Sequence, residues 1–591
     1  MPHKHHGIAL SARLTWFRRR IFARGNAIGF LLLAILTGAL AGGVVSGVSL
    51  LSHLLHSLLY EVPFATGLSG AALPRGPILI LVPVLGGLLT ALTIHLRRRR
   101  GNIVDPIEAN ALYGGRMSLT DSIWLTIQNL ASNGFGLSAG LEAAYTQLSS
   151  GLASKLGLKL KLRREDMRVL VGCGSAGAIA AAFGAPLTGA FYAFELIIGT
   201  YSSISLAPVI AAAITGMLVS RALTGKSFEI EIGPIGTINT VDFLPALALG
   251  GICAGLGILV MIGVVRTERL ASASRIPSWL RPAVGGALVG TIALITPQIL
   301  SSGHGAMHLN FDHDVAWTGL LLLFVLKATS SALTLGSGFR GGLFFASLLL
   351  GALIGKSFAI GLEWLLPGVL SSAALAVIGM SAFGVAVIGG PLAMTFLALE
   401  VTGEFPIAAL VLAASITSSM VVRQTFGYSF STWRFHLRGE TIRSAHDVGW
   451  IRNLTVGRLM RRDLRVARTD MTPDAFREAF PLGSTQRVIV ADGDGRYAAM
   501  VQVAEIHADA GAAEPRSALS DFFHQQQDVL LPGMNARQAA GLFEACRSEA
   551  LAVVSDRVER RVVGLLTEAH TLRRYSEELD KQRRNIIGTA E

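Results

Sequence analysis

Apolar runs recur along the first three quarters of the chain, at 27–58 and 77–94 and then near 123–153, 168–199, 204–223, 242–265, 283–300, 316–335, 341–366, 371–401 and 406–422. A helix that crosses a bilayer needs about 20 mostly apolar residues. These runs are uneven in length and many are interrupted by Gly or Pro, so the pattern predicts broken and re-entrant helices rather than a series of uniform spans. From about 440 the apolar runs shrink to a few residues and charge becomes frequent. Short β-like runs at Arg487 to Ala491 and Tyr497 to Val501 flank the turn Asp492-Gly493-Asp494-Gly495. A helix opened by Asn535, the run Ala550 to Ser555, a charged turn and Val562 to Leu566 follow, which predicts two α/β units in tandem.

Composition agrees with a membrane protein: 51% of the 591 residues are hydrophobic and 15% charged, where soluble domains carry about 25% charged residues. The 66 glycines suit helices that pack closely in a bilayer. The excess of 51 Lys and Arg over 39 Asp and Glu falls largely in blocks beside apolar runs, so it reads as a topology signal rather than a nucleic-acid surface. Arg18, Arg19, Arg20 and Arg24 precede the first run, and Arg97 to Arg100 follow the second. Both flanks are therefore expected on the cytoplasmic side, with two crossings between them, and the first run is too long for a cleaved signal. No secretory signal precedes the polar C-terminal region, so both termini are expected in the cytoplasm. Cys173, Cys253 and Cys546 lie far apart with no Cys-x-x-Cys, which argues against a disulfide framework or a zinc site. No cofactor is expected, and no nucleophile with a base or metal cluster stands near the carboxylate discussed next, so an enzyme is not expected.

An internal repeat localises the candidate chemistry. Gly184-Ala185-Pro186-Leu187 leads to Glu195, and Gly389-Gly390-Pro391-Leu392 leads to Glu400 at the same spacing, with Phe191 and Phe396 between and Gly199 and Gly403 closing. Upstream of each lies a glycine-punctuated segment, 134–142 in the first half and 336–344 in the second. Halves with broken helices are how transport folds bring helix ends to the middle of the membrane. A glycine turn feeding a helix leaves N–H groups unpaired at the positive end of the helix dipole, where an anion is the natural partner. Gly341-Gly342-Leu343-Phe344 offers such amides with apolar walls, which suits a weakly hydrated anion such as chloride; close helix packing through small residues is the other reading of the same segment. Glu142, between Leu141 and Ala143-Ala144, is a carboxylate inside an apolar run, costing about 2.5 to 3.5 kcal/mol at a helix centre, and such residues are functional by default. At a helix N-terminus it can occupy the site an anion would take, and protonation would release it. Glu195 and Glu400 each end an apolar helix and either reach interfacial water or accept a bond from a neighbouring helix.

Gly140-Leu141-Glu142 with Gln147, the run Gly172 to Leu187, and Gly338 to Phe345 resemble the signature segments of the CLC family of chloride channels and proton-coupled chloride antiporters, in order across residues 27–440. The resemblance implies an all-α polytopic membrane protein with an inverted-repeat fold, halves at about 27–225 and 240–440, a homodimer with one pore per subunit, and chloride held by helix N-termini. It implies gating by Glu142 and anion contacts at Gly342, Leu343, Phe344, Val104 and Ser431. Residues 1–26 would be a cytoplasmic segment, and 441–591 resemble the paired CBS domains that some CLC proteins carry.

This sequence also departs from the family. The usual basic residue before the glutamate is Leu141, and Ala143-Ala144 replace Gly-Pro. The early loop whose serine binds chloride reads Asn102-Ile103-Val104-Asp105-Pro106, and the late tyrosine falls at Ser431, with Tyr428 as the alternative register. The second glutamate of the antiporters would stand at Leu196, so a proton relay would have to be Glu195. In the CBS-like pair the ribose-holding Thr-x-x-Asp reads Thr567-Glu568-Ala569-His570 and, in the first unit, Gln502-Val503-Ala504-Glu505, which predicts a structural pair rather than a tight nucleotide sensor. The functional expectation is anion transport in the cell's inner (plasma) membrane, as a proton-coupled antiporter or a passive voltage- or pH-gated channel. A non-conducting anion sensor is the alternative.

Overall fold

The computed structural model describes residues 27–587 apart from 65–66, 74–75, 98–100, 226–237, 313–314, 431, 434–453 and 512–515. The chain divides into two units, Met1–Asp447 and Val448–Glu591.

The first unit is helical. Its first half contains α1 (Ala27–Tyr60), α2 (Ile78–Arg97), α3 (Pro106–Leu112), α4 (Leu119–Gly134), α5 (Glu142–Leu160), α6 (Arg164–Phe183), α7 (Pro186–Tyr192), which runs on into a π turn Ala193–Ile198, and α8 (Ser203–Thr224). The second half contains α9 (Phe243–Ala273), α10 (Arg281–Ala293), α11 (His304–Asp312), α12 (Trp317–Gly336), α13 (Phe344–Leu365), α14 (Ser372–Ile388), α15 (Pro391–Thr402) and α16 (Phe405–Thr425). Among the described residues eight helices are long and apolar enough to cross a membrane, and α7 with its π turn, α14 and α15 are shorter apolar pieces. The run at 123–153 breaks at 135–141, that at 168–199 at Gly184 and Ala185, and that at 371–401 at Gly389 and Gly390. The breaks fall where glycine adopts positive φ, at Gly136, Gly184, Gly389 and Gly390, a backbone shape that a β-carbon disfavours.

The core of this unit lies around α13 and α14. α14 is apolar on every side and buried along most of its length, as expected of a helix surrounded by other helices. The two cross closely enough that a β-carbon at Gly351 would stand 2.3 Å from the Gly379 carbonyl oxygen, so glycine here sets the interhelical distance.

The second unit is α/β. It contains α17 (Val456–Leu459), β1 (Val466–Arg468), α18 (Pro473–Ala479), β2 (Arg487–Ala491), β3 (Tyr497–Gln502) and α19 (Val503–Asp509), then α20 (Ala536–Cys546), β4 (Ala550–Val554), β5 (Val562–Thr567) and α21 (Glu568–Ile587). β1 runs parallel to β2, and β2 pairs antiparallel with β3. β4 and β5 form a second hairpin, and Leu530 bridges Val553 in parallel as Val466 pairs Ile489. Each hairpin shifts register at the end of its first strand, so the region is a tandem pair of like α/β units. The three-residue β1 has no period-2 run long enough to announce it in the sequence. Asn535 caps α20 through a capping box with Gln538, the start signal expected of that residue.

Candidate functional site

The glycine segments of the two halves meet. Gly140 donates its N–H to the Gly342 carbonyl at 3.0 Å and Gly342 returns the bond to Gly140 at 3.2 Å, an isolated antiparallel bridge. Helix α5 starts two residues after Gly140, and α13 two residues after Gly342. Asn129 of α4 fixes this junction: its Nδ2 donates to the Gly140 carbonyl at 2.9 Å and the Arg340 carbonyl at 3.3 Å, and its Oδ1 accepts the Ala144 N–H at 3.0 Å.

Glu142 is the first residue of α5 and is buried. Its Oε1 accepts the Phe345 N–H at 3.3 Å, while Oε2 has no hydrogen-bond partner. The carboxylate folds back against Gly140, where a β-carbon would stand 1.9 Å from Oε2. The side chain thus spans from the first half to the start of α13, where the N–H groups have no partner within the helix and carry the positive end of its dipole.

The other residues expected at the anion site are distributed around this point. The Gly342 N–H is engaged by Gly140, leaving the amides of Leu343 and Phe344 as the helix-start donors beside Phe345. Val104 accepts Gln147 Nε2 at its carbonyl, 2.9 Å away. Ser431 lies outside the described residues; nearby Tyr428 packs against Trp433 with ring centroids 5.4 Å apart. Glu195 has both carboxylate oxygens bonded, to the N–H groups of Leu392 (3.1 Å) and Ala393 (2.9 Å) at the start of α15. Glu400 does the same for α7: Oε1 accepts Leu187 N–H at 2.7 Å, and Oε2 accepts Thr188 N–H at 2.9 Å and its hydroxyl at 2.7 Å. Each half therefore caps the other's proline-started helix with a glutamate, and Phe191 stacks on Phe396 at 4.3 Å between them.

Two groups that sequence reasoning passed over complete the surroundings. Lys327, fully buried on α12, donates to the carbonyls of Ile299 (2.9 Å) and Ser301 (2.8 Å), and its charge acts on Glu142 by Coulomb attraction. Ser301 in turn receives Asn133 Nδ2 at its hydroxyl, 3.0 Å, and gives its N–H to the Gly136 carbonyl, 3.1 Å. Lys327, Ser331 and Thr334 form a polar stripe on α12, with Ser331 bonded to the Ser138 hydroxyl and Thr334 to its N–H. A lysine inside an apolar run is a visible signal of function, and the stripe follows the i, i+4, i+7 spacing of one helix face. His304 stacks on Phe345 with centroids 3.5 Å apart and meets the Ser302 hydroxyl through Nδ1. Among the described residues no group of three or more His, Cys, Asp or Glu could hold a metal ion.

In the second unit Glu505 binds Arg516 and His524, at 3.2 and 2.7 Å. Thr567 Oγ1 accepts the His570 N–H at 3.4 Å.

Residues 85–423 match the family model described as voltage gated chloride channel. A chloride channel protein, ClcB-like, of Ralstonia nicotianae is 30% identical over 355 residues, covering 58% of this chain and 82% of that protein. A voltage-gated ClC-type chloride channel, ClcB, of Escherichia coli O81 is 27% identical over 411 residues, covering 66% and 95%. Among solved structures, a slow cyanobacterial Cl−/H+ antiporter superposes with TM-score 0.61 at 20% identity, covering 69% of this chain and 97% of that one. A eukaryotic CLC transporter superposes with TM-score 0.59 at 18% identity, covering 92% and 97%. The family model spans more than half the sequence and takes in the glutamate, both glycine segments and the two capped helices, so this multi-pass membrane protein belongs to the CLC family of voltage-gated chloride channels.

Proposed function

We propose that the protein carries chloride across the membrane along a path gated by Glu142. The observation that carries this reading is the bond from the Phe345 N–H to the Glu142 carboxylate, which puts a negative side chain on the helix-start amides that would otherwise receive an anion. Protonation neutralises the carboxylate and weakens its hold on those amides. The side chain then leaves and chloride takes its place against Leu343 and Phe344. Gly342, Val104 and Ser431 are the further anion contacts of this reading.

The finer reading is exchange of chloride for protons, with Glu142 as one proton acceptor and Glu195 as the second. Against it stands the passive channel, favoured by Leu196 at the usual relay position and by the engagement of both Glu195 oxygens. The protein is assigned to a bacterial inner membrane as a homodimer with cytoplasmic termini. Chloride efflux from proteoliposomes, recorded together with pH, tests the reading. Wild type is expected to pass chloride, and Glu142→Gln to change the flux strongly because the amide mimics the neutral gate. Equal flux and equal proton movement in both would remove Glu142 from the mechanism. A flat pH trace in wild type leaves the channel, and binding without any flux leaves the sensor.

A further inference from the structure

Tyr192 ends α7 immediately before the π turn. On one side its ring lies 6.0 Å, centroid to centroid, from that of Phe344. On the other it packs with Val104 and Ile107 onto a small cluster of Ala109, Met117, Val171 and Ile197. Phe344 and Val104 are two of the positions assigned to the anion, and the second carries no hydroxyl. The half-buried phenol makes no hydrogen bond to a described residue, and the carboxylates of Asp105 and Glu142 both act on it electrostatically. A phenol in an apolar interior needs a partner for its O–H. Here the surrounding chain offers apolar side chains and two carboxylates, that of Asp105, whose Oδ1 already accepts the Glu108 N–H, and that of Glu142, a group that leaves when the path opens.

We propose that the Tyr192 hydroxyl is a ligand of the transported anion, donating from the floor of the path the hydrogen bond that Val104 cannot supply. The assignment rests on the transport reading above and deepens it. With Glu142 seated, the phenol lies in the field of that carboxylate. With Glu142 withdrawn, it faces the anion held by the Leu343 and Phe344 amides. One phenol carried on a different helix then stands in for the hydroxyl that the early loop lacks.

Tyr192→Phe tests this because it keeps the ring and its packing on Phe344 and removes only the oxygen. Chloride binding to the purified full chain is measured by calorimetry in wild type, Glu142→Gln, and each combined with Tyr192→Phe. Loss of one bond to a charged ligand raises the chloride dissociation constant about tenfold or more, with the unfolding temperature unchanged. Diffraction from Glu142→Gln crystals grown in bromide should place an anomalous peak within hydrogen-bond distance of Tyr192 Oη. A chain that binds chloride equally well with Phe at 192, or a bromide peak remote from the phenol, overturns the assignment while leaving the transport reading intact. A wild type that neither binds halide nor passes chloride overturns both.

Discussion

The paired glutamate caps allow the proton-relay question to be separated from structural damage. Glu195→Gln is the obvious test of a relay, but it also perturbs a clasp: both oxygens of Glu195 hold the start of α15, and those of Glu400 hold the start of α7. A glutamine keeps one acceptor oxygen and turns an NH2 group toward the other N–H, so each substitution loses at least one charge-assisted bond, worth about 1.5 to 3 kcal/mol. The relief of no longer burying a carboxylate offsets part of this, leaving about 2 kcal/mol for Glu195→Gln and slightly more for Glu400→Gln, whose native partner also includes the Thr188 hydroxyl. Since about 1.4 kcal/mol is tenfold in an equilibrium, hydrogen exchange on the full chain in nanodiscs should speed up about 30-fold in segment 391–397 for Glu195→Gln and in 186–192 for Glu400→Gln. If Glu195 serves only as a cap, the two variants change chloride flux and proton movement alike. If it also relays protons, Glu195→Gln abolishes proton movement while Glu400→Gln retains it. Undiminished protection in segment 391–397 of Glu195→Gln would refute the clasp.

Gly140→Ala should mimic the opened gate, because its β-carbon would occupy the place of Glu142 Oε2; raised chloride efflux of the same kind as Glu142→Gln is the expected result. Lys327→Met leaves two buried carbonyls without their donor and should cost about 2 kcal/mol, read as a lower unfolding temperature in detergent. Asn129→Ala removes three bonds at the Gly140–Gly342 junction and should both destabilise the chain by about 3 kcal/mol and make efflux less dependent on Glu142. In the second unit burial works to raise the Glu505 carboxyl, but hydrogen bonds from His524 and Arg516 outweigh it and hold the group below its ordinary range. Its contribution is therefore present above about pH 4.3, the unfolded value, and lost as pH falls through the lower folded one. Hydrogen exchange in 503–509 should rise on acidification in wild type, and Glu505→Gln should remove that component.

The helix breaks were legible because glycine and proline punctuate otherwise continuous apolar runs, and Glu142 was legible because a carboxylate there has a solvation cost. The matched spacing after Pro186 and Pro391 identified the two capped helices. What the caps bind was not legible: the partner of Glu195 is 197 residues away in the chain and that of Glu400 is 213, and no periodicity encodes a crossed pairing. The second unit's hairpins followed from short β-like runs joined by the Asp-Gly turn in the first and a charged turn in the second, whereas β1 depends on a parallel neighbour supplied by the fold. Lys327 could have been found from sequence by the same solvation argument as Glu142. Tyr192 could not, because a tyrosine at the end of an apolar helix is common and only the approach of Phe344 and Val104 distinguishes it.

The two-way bond between Gly140 and Gly342 bears on how this protein can move. A pair of hydrogen bonds joins the turns from which the opposed helices depart, so displacing either turn drags its counterpart, and sliding one half past the other would break both bonds at once in a place with little water to replace them. Mechanical compliance at the centre is consequently left to rotation about side-chain bonds, which for Glu142 takes nanoseconds when unobstructed. On the proposed gating by Glu142, a path built this way would operate as a turnstile set in a stiff frame, and crosslinking the two turns should leave its turnover intact.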